Sequence, residues 1–303
     1  MEDRNKIIEL LEIKFVKAKK INILKPVRIE NNCEVENHLL LVTGGEIRFG
    51  KEQEVAKQGD VIFIPGGKFV SLSYGSGSPS ILSKEDFLTN KDQFLTSFFN
   101  PSSNTGGEHY SYVAFDAKMF GSLNFFLSSD IPPFKIKNND KIIHLIKEIN
   151  DEMHGNLVGK NRIVKILTEQ MTVELIRYLF DHSPYEEKIM ANASYLKDAR
   201  LVDIFAYIKE HLSGDLSNRV LADVTNVSEE YIGQYFKMLM GITPQDYIEY
   251  QRMEMAVKLL RTTEKSIQDI GKTVGYKDTA YFCRRFKMMF GIPAGKMRRI
   301  ELL

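Results

Sequence analysis

The alternation of hydrophobic and polar positions divides the chain into a strand-rich part followed by a helical part. From about residue 21 to 74, short runs of Val, Ile and Phe lie between turn residues, as in HLLLVTGGEIRFG and GDVIFIPGGKFVSLSYG. Such runs predict the hairpins of a small antiparallel barrel or sandwich. The segments YSYVAFDA and SLNFFLS predict further strands.

The hydrophobic period changes near residue 140. Apolar residues recur at helical spacing over residues 140–153 and again over 163–180, which predicts two amphipathic helices. Pro184 and the charges around it mark a linker that ends near residue 195. We expect the two apolar stripes to form a homodimer contact. The alternative is that both helices pack on their own barrel.

The C-terminal third contains an internal repeat. SEEYIGQYFKMLMGI from Ser228 and DTAYFCRRFKMMFGI from Asp278 align without a gap, and a shorter apolar helix is predicted before each. Asn226 and Gly275 are suited to left-handed turns, and Ser228 and Asp278 are suited to cap the helices that follow. A short helix, a tight turn and a capped second helix form a helix-turn-helix, which occurs twice here.

The repeat and its connecting helix resemble the DNA-binding domain of the AraC/XylS family. The shared elements are TPxxY, SIxxI and GYxDxxYFxRxFK, and the resemblance covers roughly residues 197–303. It implies a sequence-specific transcription regulator whose partners are double-stranded DNA and RNA polymerase. The base-facing positions that the resemblance implies are Glu230, Gly233 and Gln234 in the first recognition helix, and Thr279, Ala280, Tyr281 and Arg284 in the second.

The basic residues of the two recognition helices are assigned different roles. Arg284 is the strongest reader, because a guanidinium can bond a guanine bidentately. Lys237 and Lys287 lie late in their helices and are expected to contact phosphate. Arg285 adds positive charge beside them. Aromatic residues recur at helical spacing in both repeats, and we interpret them as hydrophobic core rather than as residues that stack on DNA bases. They are Tyr231, Phe236, Phe282 and Phe286.

The strand-rich part resembles the cupin-type effector or oligomerisation domain of many AraC/XylS members. Its modest signal is the Gly-Asp-x4-Pro-Gly spacing of GDVIFIPGG. A metal-binding cupin needs several imidazoles, whereas His38 stands alone and Phe69 or Val70 occupies the later histidine region. We therefore expect no metal and no cofactor. The other histidines show no spacing that would orient a base against a nucleophile, so no catalytic residue is predicted and the protein is not expected to be an enzyme.

The distribution of charge adds to this picture. The formal net charge is +1, but residues 1–196 carry −2, residues 197–257 carry −4 and residues 258–303 carry +7. Clustered Lys and Arg are the electrostatic footprint of a polyanion partner. We expect the second helix-turn-helix unit to dominate DNA affinity. No apolar run approaches the roughly 20 residues that span a bilayer, and the location expected is the cytoplasm.

Together these observations predict an α+β protein. Residues 1–135 form a cupin-like antiparallel β-barrel, residues 136–195 a helical dimerisation and linker region, and residues 196–303 an all-α domain of two tandem helix-turn-helix units. The leading hypothesis is a regulator whose barrel binds a small-molecule effector. One alternative is a constitutive regulator whose barrel serves only dimerisation, and another is a cupin enzyme that carries a DNA-binding appendage.

Overall fold

The computed structural model describes residues 2–97, 107–119, 121, 123–137, 139–193, 199–240 and 242–299. The strands in these residues are β1 (Leu11–Ile23), β2 (Val27–Cys33), β3 (Asn37–Gly44), β4 (Glu46–Phe49), β5 (Glu54–Lys57), β6 (Val61–Ile64), β7 (Phe69–Tyr74), β8 (Ser80–Leu82), β9 (Leu95–Ser97), β10 (Glu108–Met119), β11 (Leu123–Asn124) and β12 (Phe134–Ile136). The helices are α1 (Glu2–Glu9), α2 (Lys84–Asn90), α3 (Phe125–Ser128), α4 (Asp140–His154), α5 (Lys160–Phe180), α6 (Ser183–Ala193), α7 (Ala199–Glu210), α8 (Asn218–Thr225), α9 (Glu229–Met240), α10 (Pro244–Thr262), α11 (Ile267–Thr273), α12 (Thr279–Phe290) and α13 (Ala294–Arg299).

The chain divides into two compact units. The β unit consists of Ile13–Ala117 and Ile131–His182. The helical unit consists of Met1–Glu12, Lys118–Asp130 and Ser183–Leu302. The domain boundary that the sequence suggests near residue 195 lies outside the described residues.

The β unit contains two sheets that share one core. The first sheet has the strand order β12-β6-β3-β10-β1-β9, and the second has the order β5-β4-β7-β2-β8. Every pairing along the two orders is antiparallel where its register is given, apart from the parallel pair β2 and β8. Alternate residues of each sheet enter the common core, such as Leu40 and Tyr110 from the first and Ile47 and Leu72 from the second. The antiparallel architecture predicted from the strand signals is confirmed.

The apolar stripe of α4 is buried inside the β unit. Ile142, Leu145, Ile146 and Ile149 are each at most 2% exposed, and α4 packs against β3 and α5. For α4 the structure therefore supports the packing alternative to a dimer contact. The prediction of a buried helix face is therefore right, but its assignment to a dimer contact is not supported. Helical spacing of apolar residues indicates that a face is buried and does not identify the surface that buries it.

The helical unit carries the two repeats on either side of α10. Asn226 and Gly275 have φ values of 53° and 92°, so the predicted left-handed turns are confirmed. Ser228 accepts a hydrogen bond from the amide of Tyr231, and Asp278 accepts one from that of Tyr281. Both predicted caps are therefore confirmed, and each repeat is a helix-turn-helix. In the described part of the chain no helix is long and apolar enough to cross a membrane.

Candidate DNA-binding surface

The second helix of each repeat has one buried face and one exposed face. Phe236, Phe282 and Phe286 are fully buried, which confirms their interpretation as core. The same interpretation is wrong for Tyr231, which is 39% exposed and lies 5.8 Å from the Arg200 guanidinium, measured to the ring centroid. Tyr231 directly precedes the buried Ile232 and lies about 100° around the helix from the buried face, so its aromatic ring stays at the surface.

The exposed side of α12 concentrates the candidate reading residues. Ala280, Tyr281, Arg284 and Lys287 are exposed, and Thr279 is half-buried at the helix start. The Arg284 guanidinium lies 5.9 Å from the centroid of the Tyr281 ring. Arg284 and Asp278, six positions earlier, do not form an ion pair with each other.

The Asp278 side chain is used as the N-cap of α12 and accepts the amide hydrogen of Tyr281 at 2.6 Å. Within the described residues, Arg284 has no carboxylate within ion-pair distance. Its charge is therefore not neutralised locally.

Arg285 is held against α10 by an ion pair. Its Nε donates to Oε1 of Glu249 over 2.5 Å and its Nη2 donates to Oε2 of the same carboxylate, so the pair is bidentate. The bonds to Glu249 raise the pKa of Arg285, and Tyr276 Oη donates to Glu249 Oε1 over 3.4 Å. Arg285 was predicted from the sequence to lie among the DNA-binding residues. In the structure its guanidinium instead pairs with Glu249 and so fixes the recognition helix α12 to α10.

The exposed side of α9 is different in charge. Glu229 and Glu230 lie exposed in its first turn, Gln234 and Lys237 are exposed further along, and Gly233 is half-buried. Carboxylates suit the N-terminus of a helix, but they repel phosphate. The exposed side of α9 is therefore expected to attract the DNA phosphates less strongly than that of α12.

Arg252 of α10 bridges the two repeats. Its Nε donates to the Leu212 carbonyl over 3.0 Å and its Nη2 to the Gly214 carbonyl over 2.8 Å, both in the loop that leads into the first repeat. A Cβ on Gly275, in the turn of the second repeat, would lie 2.9 Å from the Arg252 guanidinium carbon and from the Leu212 carbonyl oxygen. One side chain therefore packs against both repeats and fixes their relative position.

The β unit holds a cluster of buried polar groups at the start of β3. Lys84 is almost fully buried, and its Nζ lies 3.0 Å from Glu34 Oε1 and donates to the Cys33 carbonyl over 2.6 Å. Burial acts to raise the pKa of Glu34, but the charges of Lys84, His38 and Lys17 together lower it below its ordinary value. Burial lowers the pKa of His38, which favours a neutral imidazole at pH 7.

Tyr112 lies next to this cluster. Its ring is 5.8 Å from the His38 ring and 5.8 Å from Lys17 Nζ. Its hydroxyl is buried and has no hydrogen-bond partner among the described residues. Those residues also contain no group of three or more His, Cys, Asp or Glu side chains that could hold a metal ion.

Comparisons with known proteins agree with this geometry. A family model described as a helix-turn-helix domain matches residues 221–300, from within α8 to the end of α13. An uncharacterized HTH-type transcriptional regulator of Haemophilus influenzae is 24% identical over 270 residues, which cover 86% of this chain and 85% of that protein. The C-terminal repeats form a helix-turn-helix domain, and the chain is similar over most of its length to a transcription regulator of the same kind.

Other relatives define the extent of the likeness. Uncharacterized HTH-type regulators of Staphylococcus aureus are 26% identical over 147 residues, or 48% of this chain, and the match spans only 20% of their own length. The crystal structure of ToxT from Vibrio cholerae has a TM-score of 0.53 at 11% identity and covers 96% of this chain and 98% of that one. A structure of ToxT bound to an unsaturated fatty acid has a TM-score of 0.51 at 10% identity and covers 95% and 94%. The likeness to ToxT shows that the same fold extends over nearly the whole regulator.

Proposed function

We propose that this regulator reads promoter DNA by placing α9 and α12 in adjacent major-groove segments, with α12 supplying most of the affinity. The observation that carries the proposal is the position of Arg284 on α12. Its guanidinium is exposed and has no carboxylate partner among the described residues, and the exposed Lys287 lies on the same helix. A recognition helix presents its N-terminal turns to base edges, and Arg is the residue best suited to guanine.

The other proposed contacts follow from their place on the two helices. Thr279, Ala280 and Tyr281 lie in the first turn of α12, and Glu230, Gly233 and Gln234 lie in the first half of α9, so these positions face the base edges in the proposed complex. Lys237 and Lys287 lie in the last turns and contact phosphate. Arg285 acts as a positioning residue through Glu249.

The test is an operator selected in vitro from random duplexes by the full-length protein. Footprinting on the selected sequence should show two protected major-groove segments about one helical turn, or roughly 10 base pairs, apart. A fragment from about residue 198 to 303 should bind the same operator, because it contains both helix-turn-helix repeats and the helix α10 that joins them. Selection that enriches no sequence, or a folded fragment without specific binding at low salt, would contradict the proposal.

We propose further that the β unit binds a small effector, largely apolar with one polar end. Support comes from the Tyr112 hydroxyl, which has no hydrogen-bond partner among the described residues and lies beside His38 and Lys17 at the edge of an apolar core. It also comes from the unsaturated fatty acid bound to the similarly folded ToxT. The test measures the thermal unfolding midpoints of the wild-type protein and of Tyr112→Phe with and without oleic acid. Oleic acid should raise the midpoint of the wild type more than that of the variant. A ligand that binds only the folded state raises the midpoint by mass action. Stabilisation that is equal in both proteins would place the ligand elsewhere.

A homodimer remains part of the proposal, through a smaller surface than the sequence suggested. Leu157, Val158, Ile163 and Ile166 are exposed together around the start of α5, and Val158 is fully exposed. Contiguous exposed apolar residues mark interaction sites. We name these four residues the α5 surface and propose that it contacts a second copy of the chain.

The setting of this activity is also proposed. A regulator of transcription works where the chromosome is, in the cytoplasm, and RNA polymerase is its functional partner. This role needs no catalytic chemistry. Transcription from a template that carries the selected operator, with purified polymerase and with or without the regulator, tests the partnership and shows whether the regulator activates or represses.

A further inference from the structure

A cleft of about 890 Å³ opens between the two helix-turn-helix repeats. The loop before α8 lines one side of it, with Ser217. The end of α11 and the turn before α12 line another side, with Lys272 and Lys277. α10 contributes Gln245 and Arg252. The cleft is thus built by both repeats and by the helix that joins them.

The charge of this cleft is positive. Its lining contains three cations, Arg252, Lys272 and Lys277, and one carboxylate, that of Asp215. Arg252 is occupied with the Leu212 and Gly214 carbonyls, and Asp215 accepts the amide hydrogen of Ser217 over 2.9 Å.

The two lysines differ from Arg252, because both are exposed and neither has an ion-pair partner within the part of the chain that the structure describes. Ser217 adds a further polar group. It is the N-cap of α8, and its side chain makes no capping hydrogen bond. The two lysines and the Ser217 hydroxyl therefore line the same space.

We propose that the cleft binds a phosphodiester of the DNA backbone, at the point where the duplex passes from the groove segment read by α9 to that read by α12. This inference rests on the proposed placement of the two recognition helices. Lys277 directly precedes Asp278, the N-cap of α12, and α8 leads through the turn at Asn226 into α9. In the proposed complex, the DNA backbone that links the two groove segments passes this cleft between the repeats.

The chemistry of the cleft fits a phosphodiester better than a base. Lysine binds phosphate as a point charge, and such contacts add affinity and fix register without reading sequence. The contact also accounts for how the first repeat stays on DNA despite the acidic first turn of α9. Lys272 and Lys277 supply, from the second repeat, charge that α9 lacks, and Arg252 keeps the two repeats in the position that this requires.

The experiment measures binding of the full-length protein to the selected operator and to a random-sequence duplex of equal length, by fluorescence anisotropy from 50 to 200 mM NaCl. The variants are the double change Lys272→Gln and Lys277→Gln, the matched control Lys258→Gln, and Arg284→Ala. Lys258 is an exposed lysine of α10 that does not line the cleft. Thermal midpoints check that each variant is folded.

Loss of two phosphate contacts should lower the salt slope by about two counterions on both duplexes. The affinity gap between wild type and double variant should then shrink roughly tenfold between 50 and 200 mM salt. Lys258→Gln should leave the slope unchanged. Ethylation of the operator phosphates between the two groove segments should interfere with the wild type and not with the double variant.

Three outcomes separate the hypotheses. If the double variant matches Lys258→Gln while Arg284→Ala loses specific binding, the cleft proposal is wrong and the DNA-reading proposal stands. If Arg284→Ala also binds as wild type, the reading proposal itself fails. If inorganic phosphate at constant ionic strength stabilises the wild type but not the double variant, and the salt slopes are equal, the cleft is a site for a free anion and the backbone contact is overturned.

Discussion

The change Gly275→Ala tests how tightly the two repeats are fixed to each other. Gly275 has a φ of 92°, in a region where a residue with a Cβ costs about 1–2 kcal/mol. The added Cβ would lie 2.9 Å from Cζ and Nε of Arg252 and 2.9 Å from the Leu212 carbonyl oxygen. The carbonyl belongs to the backbone, so the clash cannot be relieved by turning a side chain.

Displacing Arg252 would weaken its bonds to the Leu212 and Gly214 carbonyls, and a hydrogen bond from a charged group contributes about 1.5–3 kcal/mol. We therefore expect Gly275→Ala to lower the free energy of unfolding of the helical unit by about 2–4 kcal/mol. Urea unfolding of the full-length protein, followed by circular dichroism, measures the loss. Hydrogen exchange of peptides from residues 263–299 assigns it to the second repeat.

Gly233→Ala is the matched control, because it adds the same methyl group to a glycine of the same unit. Gly233 lies inside α9, and the nearest atom to its new Cβ would be Asn218 Nδ2 at 3.6 Å, an ordinary contact. Alanine in a helix interior is better than glycine by about 0.5–1 kcal/mol, so this variant should be more stable than wild type. If both variants unfold within about 0.5 kcal/mol of wild type, the close approach of Gly275 to Arg252 does not hold the repeats together.

Three further predictions concern the other surfaces. Arg284→Ala should reduce operator affinity by about 1–3 kcal/mol and more than Gln234→Ala, as measured at two salt concentrations; the reverse order would refute the charge argument. Ile166→Glu places a charge in the α5 surface and should convert a dimer to a monomer in sedimentation; a wild-type monomer at micromolar concentration would contradict the proposed contact. The lowered pKa of Glu34 means that its pair with Lys84 stabilises the β unit above the ordinary carboxyl pKa of about 4.3 and is lost as pH falls through the lowered value. Thermal midpoints of Glu34→Gln should therefore depend less on pH below about 4.3 than those of wild type, and an identical pH profile would exclude the pair as the cause.

The sequence predicted best what depends on near neighbours. The left-handed turns at Asn226 and Gly275 and the caps at Ser228 and Asp278 follow from backbone preferences within four residues. The onset of β1 was predicted wrongly even though the local pattern contained the signal. The strand begins at Leu11, well before the predicted onset near residue 21, although apolar and charged residues already alternate there.

What the sequence missed depends on partners that are distant along the chain. Arg285 and Glu249 are 36 positions apart, and nothing local distinguishes a guanidinium that pairs with a carboxylate from one that faces DNA. The stripe of α4 likewise has the same pattern whether it covers a sheet or a second subunit. In the sequence, Tyr112 is one residue of a predicted strand and nothing marks it as functional. Only the structure shows that its hydroxyl is buried without a hydrogen-bond partner among the described residues.

In the proposed complex, α10 also fixes the distance between the two groove segments that α9 and α12 read. α10 has 19 residues, so it is about 28 Å long, and inserting one residue would rotate all that follows by about 100°. Placed between Glu249 and Arg252, such an insertion would break the contacts of both side chains, that of Arg252 with Leu212 and that of Glu249 with Arg285. If α9 and α12 read adjacent groove segments as proposed, binding should fail when a few base pairs are inserted or deleted between the half-sites. Base substitutions within a half-site should weaken binding only gradually.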